Sequence, residues 1–184
     1  MGERILVVGS TGAGKTVLAG ELAARLGAPH VELDALHFAE NWVEVPDEVF
    51  AERTAAATEG AAWVLDGNYS AVMRDLAWDR AQTVVWLDYA FFVSGWRLLR
   101  RTVLRAARRQ ELWHGNRETF RKSFASRDSI LLWFLRTFRR RRRQYEAAMV
   151  DPANAHLSFV RLRSPRETEQ WLANLPDRRE GARG

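Results

Sequence analysis

Residues 5–16, ILVVGSTGAGKT, constrain the fold of this 184-residue chain more than any other segment. The four apolar residues at its start are typical of a strand buried inside a parallel sheet. A glycine-rich loop follows, and the alanine- and leucine-rich residues 16–26 after it predict a helix that stops at Gly27. A strand, a tight loop and a helix in this order make the first unit of an α/β fold.

The loop GSTGAGKT has the Walker A spacing G-x-x-x-x-G-K-T, which binds nucleotide phosphates. Its glycines let backbone N–H groups face phosphate oxygens, and the helix adds the positive end of its dipole. We expect the Lys15 ammonium on the β- and γ-phosphates and the Thr16 hydroxyl on Mg²⁺, so the expected cofactors are ATP and Mg²⁺. The residues expected to bind nucleotide are Gly9, Ser10, Thr11, Gly12, Ala13, Gly14, Lys15, Thr16 and Val17.

Apolar runs alternate with helical patterns along the rest of the chain. Because parallel strands need crossover connections, the alternation predicts an α/β P-loop NTPase with a five-stranded parallel sheet and helices on both faces. We expect one P-loop domain over residues 1–176 and a disordered tail over residues 177–184. The predicted strands are residues 5–8, 30–33, 62–65, 83–87 and 157–162, and the predicted helices are residues 16–26, 46–59, 91–109, 129–149 and 166–175.

Three predicted strands run directly into an aspartate: Asp34, Asp66 and Asp88. Ligands of open α/β sheets bind beyond the carboxyl ends of the strands, so these acids should line one crevice. Aspartate is also a common helix-capping residue, which is the alternative explanation for each of them.

Basic residues concentrate in residues 97–146, with 16 basic against 4 acidic side chains, whereas the remainder has 12 against 19. Two arginine-rich helices around a polar segment, residues 110–128, predict a lid that folds over the transferring phosphate. We expect this segment to be mobile without nucleotide, and Arg101 and Arg127 are the candidate catalytic arginines. The alternatives are contact with a nucleic acid or an arginine-rich, solvated helix face.

Composition excludes several other classes of protein. The chain has no cysteine, hence no disulfide framework and no thiolate metal site. No apolar run approaches the roughly 20 residues that span a bilayer, and the first apolar run is too short for a secretory leader. We therefore expect a cytoplasmic protein without a membrane partner.

Further motifs resemble the nucleoside-monophosphate-kinase-like P-loop kinases: the stretch WVLDGNYS, the strand ending WLDYA and the loop LRSPRE. The similarity is greatest to the adenylate kinase-related group called FlaR-like or topology modulation proteins. It implies that Asp66 orients Mg²⁺ through water, that Arg97 lies against the adenine and that Arg101 contacts the phosphates. It also implies that the LRSPRE loop, with Arg163 and Ser164, holds the adenine.

The sequence departs from adenylate kinases on the acceptor side, residues 34–60. Those enzymes grip the acceptor phosphate with arginines after the second strand and after Asp-Gly, but here LDALHFAENW and Asn68 occupy those places. Asp34 is similar in place to the acid of gluconate- and shikimate-type kinases, and it could accept a hydroxyl proton. The alternatives for Asp34 are a helix cap or an orienter of Mg²⁺. A clamp built from Arg53, Arg74 or Arg80 would restore a phosphate acceptor.

The function predicted from these features is ATP- and Mg²⁺-dependent phosphoryl transfer to a small molecule or nucleotide, with Asp34 as the candidate base. One alternative is a nucleic-acid-associated regulatory ATPase, which salt-dependent DNA binding would reveal. The other is a nucleotide-binding module without turnover, which would bind ATP but release no ADP.

Overall fold

The central sheet has five strands, and all of its neighbouring pairs are parallel. The structure is a computed structural model that describes residues 2–68, 71–108 and 130–176, with side chains omitted at 41, 71–75 and 105–108. The strands are β1 (Arg4–Gly9), β2 (His30–Glu32), β3 (Trp63–Asp66), β4 (Thr83–Leu87) and β5 (Ser158–Leu162). Their order in the sheet is β2-β3-β1-β4-β5, which places β1 in the middle, so the loop after β1 emerges at the centre of the carboxyl edge.

Seven α-helices accompany the sheet within the described residues, and 3-10 turns lie at Glu40–Trp42 and Pro152–Asn154. The predicted α/β class with a parallel five-stranded sheet is confirmed. The helices are α1 (Lys15–Leu26), α2 (Leu33–His37), α3 (Asp47–Ala57), α4 (Ala71–Arg80), α5 (Phe91–Arg108), α6 (Ile130–Val150) and α7 (Pro165–Ala173).

The sheet separates two hydrophobic clusters, because successive strand residues point to opposite faces. Leu6 and Val8 of β1 pack with residues of α3, α4 and α6, among them Phe50 and Trp78. Ile5 and Val7 pack instead with α1 and α7. Helices therefore cover both faces, as the all-apolar strands predicted.

The second predicted strand is wrong at its end. We predicted a strand over residues 30–33, but Leu33 is the first residue of α2 and is only 4% exposed. Its side chain enters the core and packs close to Gly67, where an added Cβ would lie 2.7 Å from the Leu33 Cβ. Asp34 consequently lies in the first turn of a helix. The sequence patterns also missed α2, which is too short to show a period, and α4.

Helices α5 and α6 pack on each other through Leu98, Phe134 and Phe138, with Phe91 against the same cluster. The predicted lid segment at residues 110–128, the candidate Arg127 and the tail at residues 177–184 lie outside the described residues. None of the described helices is long and apolar enough to cross a membrane.

Candidate active site

The loop between β1 and α1 adopts a conformation that depends on glycine. Gly9, Gly12 and Gly14 have φ angles of 147°, 84° and 100°. At Gly12 a Cβ would lie 2.8 Å from the Leu98 Cβ, so the loop packs directly against α5. Gly14 is the N-cap of α1 and brings no side chain, which leaves the first-turn N–H groups of that helix to an anion. This backbone fits the phosphates of a nucleotide.

Lys15, the first residue of α1, folds back over the loop. Its Nζ donates to the carbonyl oxygens of Gly9 at 3.3 Å and Ser10 at 3.4 Å. These bonds hold the ammonium against the carbonyl groups of the loop. The contact of Lys15 with phosphates stays a prediction.

Four charged side chains act on the Lys15 ammonium. The pKa of Lys15 is lowered to about 8, chiefly by burial; Asp34 and Asp66 oppose the shift, and the nearby charges of Arg101 and Arg141 add to it. These groups come from α5, α6, α2 and β3, so four elements bring charge to one point. Phosphates there would meet several cations that are already oriented, which is the arrangement that stabilises phosphoryl transfer.

The lowered pKa of Lys15 predicts that ATP binding takes up protons near pH 8. About half of Lys15 should be neutral in the free protein at that pH, and phosphates raise the pKa of an adjacent ammonium. Binding at pH 8 should therefore take up about half a proton, falling toward zero at pH 6, where the lysine is already charged.

Calorimetric titration with MgATP in buffers of different ionisation enthalpy measures this uptake directly. The titration at pH 6 is the control within the same protein. An apparent enthalpy independent of the buffer at pH 8 would contradict the prediction.

Asp66 and Thr16 form the part of the site that suits Mg²⁺. Asp66 ends β3, is 4% exposed and accepts a hydrogen bond from Thr16, while His30 Nε2 lies 3.1 Å from its Oδ2. Burial raises the pKa of Asp66, and the His30 and Thr16 bonds and the Lys15 charge oppose this rise. A hydroxyl and a carboxylate are hard oxygen donors of the kind that hold Mg²⁺ together with substrate phosphates. Mg²⁺ in such a site neutralises phosphate charge.

The third strand-end acid, Asp88, has a different environment. Its Oδ2 accepts from Arg161 Nε at 2.9 Å and Nη2 at 2.6 Å, and Arg142 Nη2 lies 3.2 Å away. These bonds join β4, β5 and α6. Asp88 also lines a pocket with Ser10 of the glycine-rich loop, so the meeting of all three acids in one crevice stays a prediction.

Three residues predicted to bind the adenine make contacts within the protein. Arg97 donates to the carbonyl of Ala13 at 3.3 Å and lies over the ring of Tyr89. Ser164 is the N-cap of α7 and accepts from the Glu167 N–H at 3.2 Å, and the Glu167 carboxylate accepts from the Arg163 N–H. Contact of these residues with adenine stays a prediction, as does that of Val17, which is 68% exposed.

Two residues at the site were missed by sequence reasoning, Asn68 and Arg141. Arg141 Nη1 donates to the Asn68 carbonyl at 2.7 Å, and the Asn68 side chain contacts the P-loop. A signal for Arg141 was present in the sequence. It falls on the inward stripe of α6, where Phe134, Phe138, Tyr145 and Ala148 are buried, while Arg139, Arg140, Arg142 and Arg143 are exposed.

Comparison with known proteins identifies the fold. Residues 5–88 match the model of the ATPase family associated with various cellular activities (AAA). No curated protein sequence matches the chain.

Three solved structures are similar over nearly the whole chain. A gluconokinase from Sinorhizobium meliloti has a TM-score of 0.50 and 19% identity, covering 98% of this chain and 96% of that one. A sugar kinase from a Janibacter species has a TM-score of 0.51 and 21% identity, with 94% of each chain covered. A shikimate kinase from Bacteroides thetaiotaomicron has a TM-score of 0.52 and 18% identity, covering 96% of this chain and 98% of that one. At these identities the likeness shows the fold, which is that of the P-loop NTPases.

Proposed function

We propose that this P-loop NTPase is an ATP- and Mg²⁺-dependent kinase that phosphorylates a hydroxyl group of a small molecule, with Asp34 as the general base. The observation that carries the proposal is the juxtaposition of Asp34 and Lys15. Asp34, in the first turn of α2, is close enough to Lys15 for its charge to oppose the fall in the pKa of that lysine, more strongly than the charge of Asp66 does.

Phosphoryl transfer depends mainly on positioning and on charge stabilisation, because little covalent chemistry falls to the protein. The site offers Lys15, Arg101 and Arg141 as cations around the P-loop. Thr16 and Asp66, which are hydrogen-bonded to each other, would supply oxygen donors for Mg²⁺. Within the described residues, no cluster of three or more His, Asp or Glu side chains could hold a metal by itself.

The acceptor side supports a hydroxyl acceptor over a phosphate acceptor. Two of the three arginines that could replace the missing clamp are engaged elsewhere. Arg53 donates to the Leu36 carbonyl at 3.2 Å, and Arg80 donates to the Ala55 carbonyl at 2.8 Å and to Thr58 Oγ1 at 3.1 Å. These bonds join α3 to its neighbours. The side chain of the third, Arg74, lies outside the described part of the chain.

A helix-capping role does not account for Asp34. The N-cap of α2 is Glu32, and no side chain caps that helix end. Asp34 follows two residues later, in the first turn, next to the cluster of charges around Lys15. A carboxylate there can accept a proton from a bound hydroxyl.

The proposed step is a direct displacement. Asp34 takes the hydroxyl proton, the freed oxygen lone pair forms a bond to the γ-phosphorus, and the bond from that phosphorus to the bridging oxygen of ADP breaks. Lys15 and Arg101 stabilise the negative charge that develops on the transferring and leaving phosphates. The products are the phosphorylated acceptor, ADP and a proton that Asp34 later releases to water.

The names of the similar solved structures support the same substrate class. They are a gluconokinase, a sugar kinase and a shikimate kinase, which are kinases of small molecules. This support is weaker than that from the position of Asp34, because proteins only 18–21% identical to this chain do not show which substrate it uses.

Acceptor-dependent ADP release tests the proposal. Purified protein with MgATP is offered sugars, sugar acids and hydroxy acids in one set and nucleosides and nucleoside monophosphates in the other. We expect turnover with a non-nucleotide hydroxyl compound at least about tenfold above the background ATPase, since a positioned acceptor supplies large effective molarity. The background without acceptor is the control.

Three results would contradict the proposal in different ways. Turnover with nucleoside monophosphates alone would indicate a nucleotide kinase. ATP binding without ADP release on any acceptor would indicate a binding module. ATP hydrolysis stimulated by DNA, with salt-dependent binding, would indicate a nucleic-acid-associated ATPase.

A further inference from the structure

The side chain of Asn68 pairs with the first glycine of the P-loop. The Gly9 N–H donates to Asn68 Oδ1 at 3.1 Å, and Asn68 Nδ2 donates to the Gly9 carbonyl. A side-chain amide has one acceptor and one donor group in the right places to satisfy both backbone groups of a single residue. The two bonds fix the Gly9 backbone across 59 residues of sequence.

Gly9 needs such a partner because the chain turns sharply there. Its φ of 147° is a conformation that side chains disfavour, and a Cβ would lie 2.7 Å from the Leu87 carbonyl oxygen. The backbone at this point leaves the ladder of β1 to enter the phosphate-binding loop. The Asn68 amide thus provides hydrogen bonds at the point where the strand ends and the loop begins.

The Gly9 carbonyl also accepts from Lys15 Nζ at 3.3 Å. Phosphates attract the lysine ammonium, so nucleotide binding weakens this bond. The carbonyl then retains Asn68 Nδ2 as its donor, which avoids the free-energy cost of a part-buried acceptor without a partner. Asn68 therefore makes it easier for Lys15 to turn toward the nucleotide.

Helix α6 contacts the same asparagine. The Tyr145 hydroxyl donates to Asn68 Oδ1 at 2.6 Å, and Arg141 Nη1 donates to the Asn68 carbonyl at 2.7 Å. Tyr145 is 8% exposed and its ring lies 5.5 Å from that of Trp86, so its hydroxyl has a fixed position. Asn68, which follows β3, consequently joins the P-loop to α6.

We propose that Asn68 is a positioning residue that holds the P-loop in its nucleotide-binding form and couples it to α6 through Tyr145. The inference rests on nucleotide binding at the P-loop, which the proposed function requires, but it is independent of the acceptor. Loss of the amide should therefore weaken ATP binding even when no acceptor is present.

The test compares ATP affinity, measured by calorimetry, in Asn68→Ala, Tyr145→Phe and the double variant. We expect Asn68→Ala to weaken ATP binding about tenfold and Tyr145→Phe about threefold, the scale of one or two net hydrogen bonds. The double variant should bind no more weakly than Asn68→Ala, because Tyr145 acts through Asn68. Tyr145→Phe keeps the ring, so it remains informative if Asn68→Ala does not fold.

Asn154→Ala is the matched control. Asn154 Nδ2 donates to the Ala148 carbonyl at 2.9 Å, near the end of α6, so the change removes a comparable amide bond far from the P-loop. We expect a lower melting temperature with ATP affinity within about twofold of the parent. If Asn68→Ala behaves in the same way, or if the Asn68 and Tyr145 effects simply add, the positioning role is overturned.

The outcomes also separate this inference from the proposed function. Weakened ATP binding in Asn68→Ala, with no acceptor ever phosphorylated, would support the positioning role and refute the kinase. Turnover of an acceptor, with ATP affinity unchanged in Asn68→Ala, would support the kinase and refute the positioning role.

Discussion

Replacing Lys15 with alanine should reduce phosphoryl transfer by about 10³-fold or more while leaving the fold intact. Lys15 donates to two carbonyl groups of the loop, and the charges of Asp34, Asp66, Arg101 and Arg141 act on it. Its removal takes away the positive charge that we propose meets the β- and γ-phosphates. The measurement is ADP release with the best acceptor, at saturating MgATP.

The stability of the Lys15→Ala protein has a predictable dependence on pH. The folded-state pKa of Lys15 is about 8, below the ordinary value of 10.5, so between these two values the unfolded chain binds more protons. The contribution of Lys15 to stability is therefore least favourable below pH 8 and improves as the pH rises toward 10.5. At pH 7 the variant should melt at the same temperature as the parent or higher, and this advantage should shrink by pH 9.

Thermal melts at pH 7 and pH 9 check the fold, and the rate assay checks the chemistry. A variant that turns over at the parental rate would refute the kinase. A variant that has lost its activity together with its cooperative melt would instead show that Lys15 is needed for folding, against the structural argument.

Replacing Asp34 with asparagine should lower kcat by roughly 10²–10⁴ when the acceptor is a hydroxyl compound. Asparagine keeps the size and one acceptor oxygen, but it cannot take a proton at neutral pH. ATP should bind nearly as before, because the P-loop, Thr16 and Asp66 are unchanged. The measurement pairs kcat from ADP release with the ATP dissociation constant from calorimetry.

Asp47→Asn is the matched control for this substitution. Asp47 is also an aspartate in the first turn of an acceptor-side helix, α3, but it is exposed. We expect its kcat to stay within about twofold of the parent, since surface changes away from a site have small effects.

Magnesium dependence distinguishes the roles open to Asp34. If Asp34 only orients Mg²⁺, raising the Mg²⁺ concentration should partly restore the activity of Asp34→Asn. If it is the base, saturating Mg²⁺ should leave the loss unchanged. A loss below about tenfold at saturating Mg²⁺ would remove the hydroxyl-kinase proposal and favour a phosphate acceptor, which needs no base.

The elements that sequence analysis located well are those with strong local signals. The strand at Thr83–Leu87 was predicted with its observed bounds, because a run of five apolar or β-branched residues between polar neighbours is typical of a buried parallel strand. Helix α3 was predicted to start near Asp47 because Pro46 precedes it. Helix α4 was missed because its pattern is weak and its burial of Ala77 and Trp78 depends on the sheet it covers.

The roles of Asn68 and Arg141 could not be predicted from the sequence for the same reason. The motif DGNY could be compared with known kinases, but the role of Asn68 depends on Gly9 lying within hydrogen-bond distance. Arg141 looked like one of five equivalent arginines, yet it alone of the run at 139–143 is half-buried. Which member of a charge run reaches the site depends on the angle at which the helix packs, and helix periodicity alone does not give that angle.

The sequence by itself therefore determined the phosphate-binding loop, the order of most strands and helices along the chain, and the α/β class, because glycine conformation, apolar runs and helix caps act over a few residues. Only the tertiary structure decided which distant groups meet. It placed Asp34 in a helix where its charge acts on Lys15, joined His30 to Asp66, engaged Asp88 with arginines and set Asn68 against Gly9. These contacts join residues tens of positions apart, and they follow from the strand order and parallel register of the sheet, which no local pattern encodes.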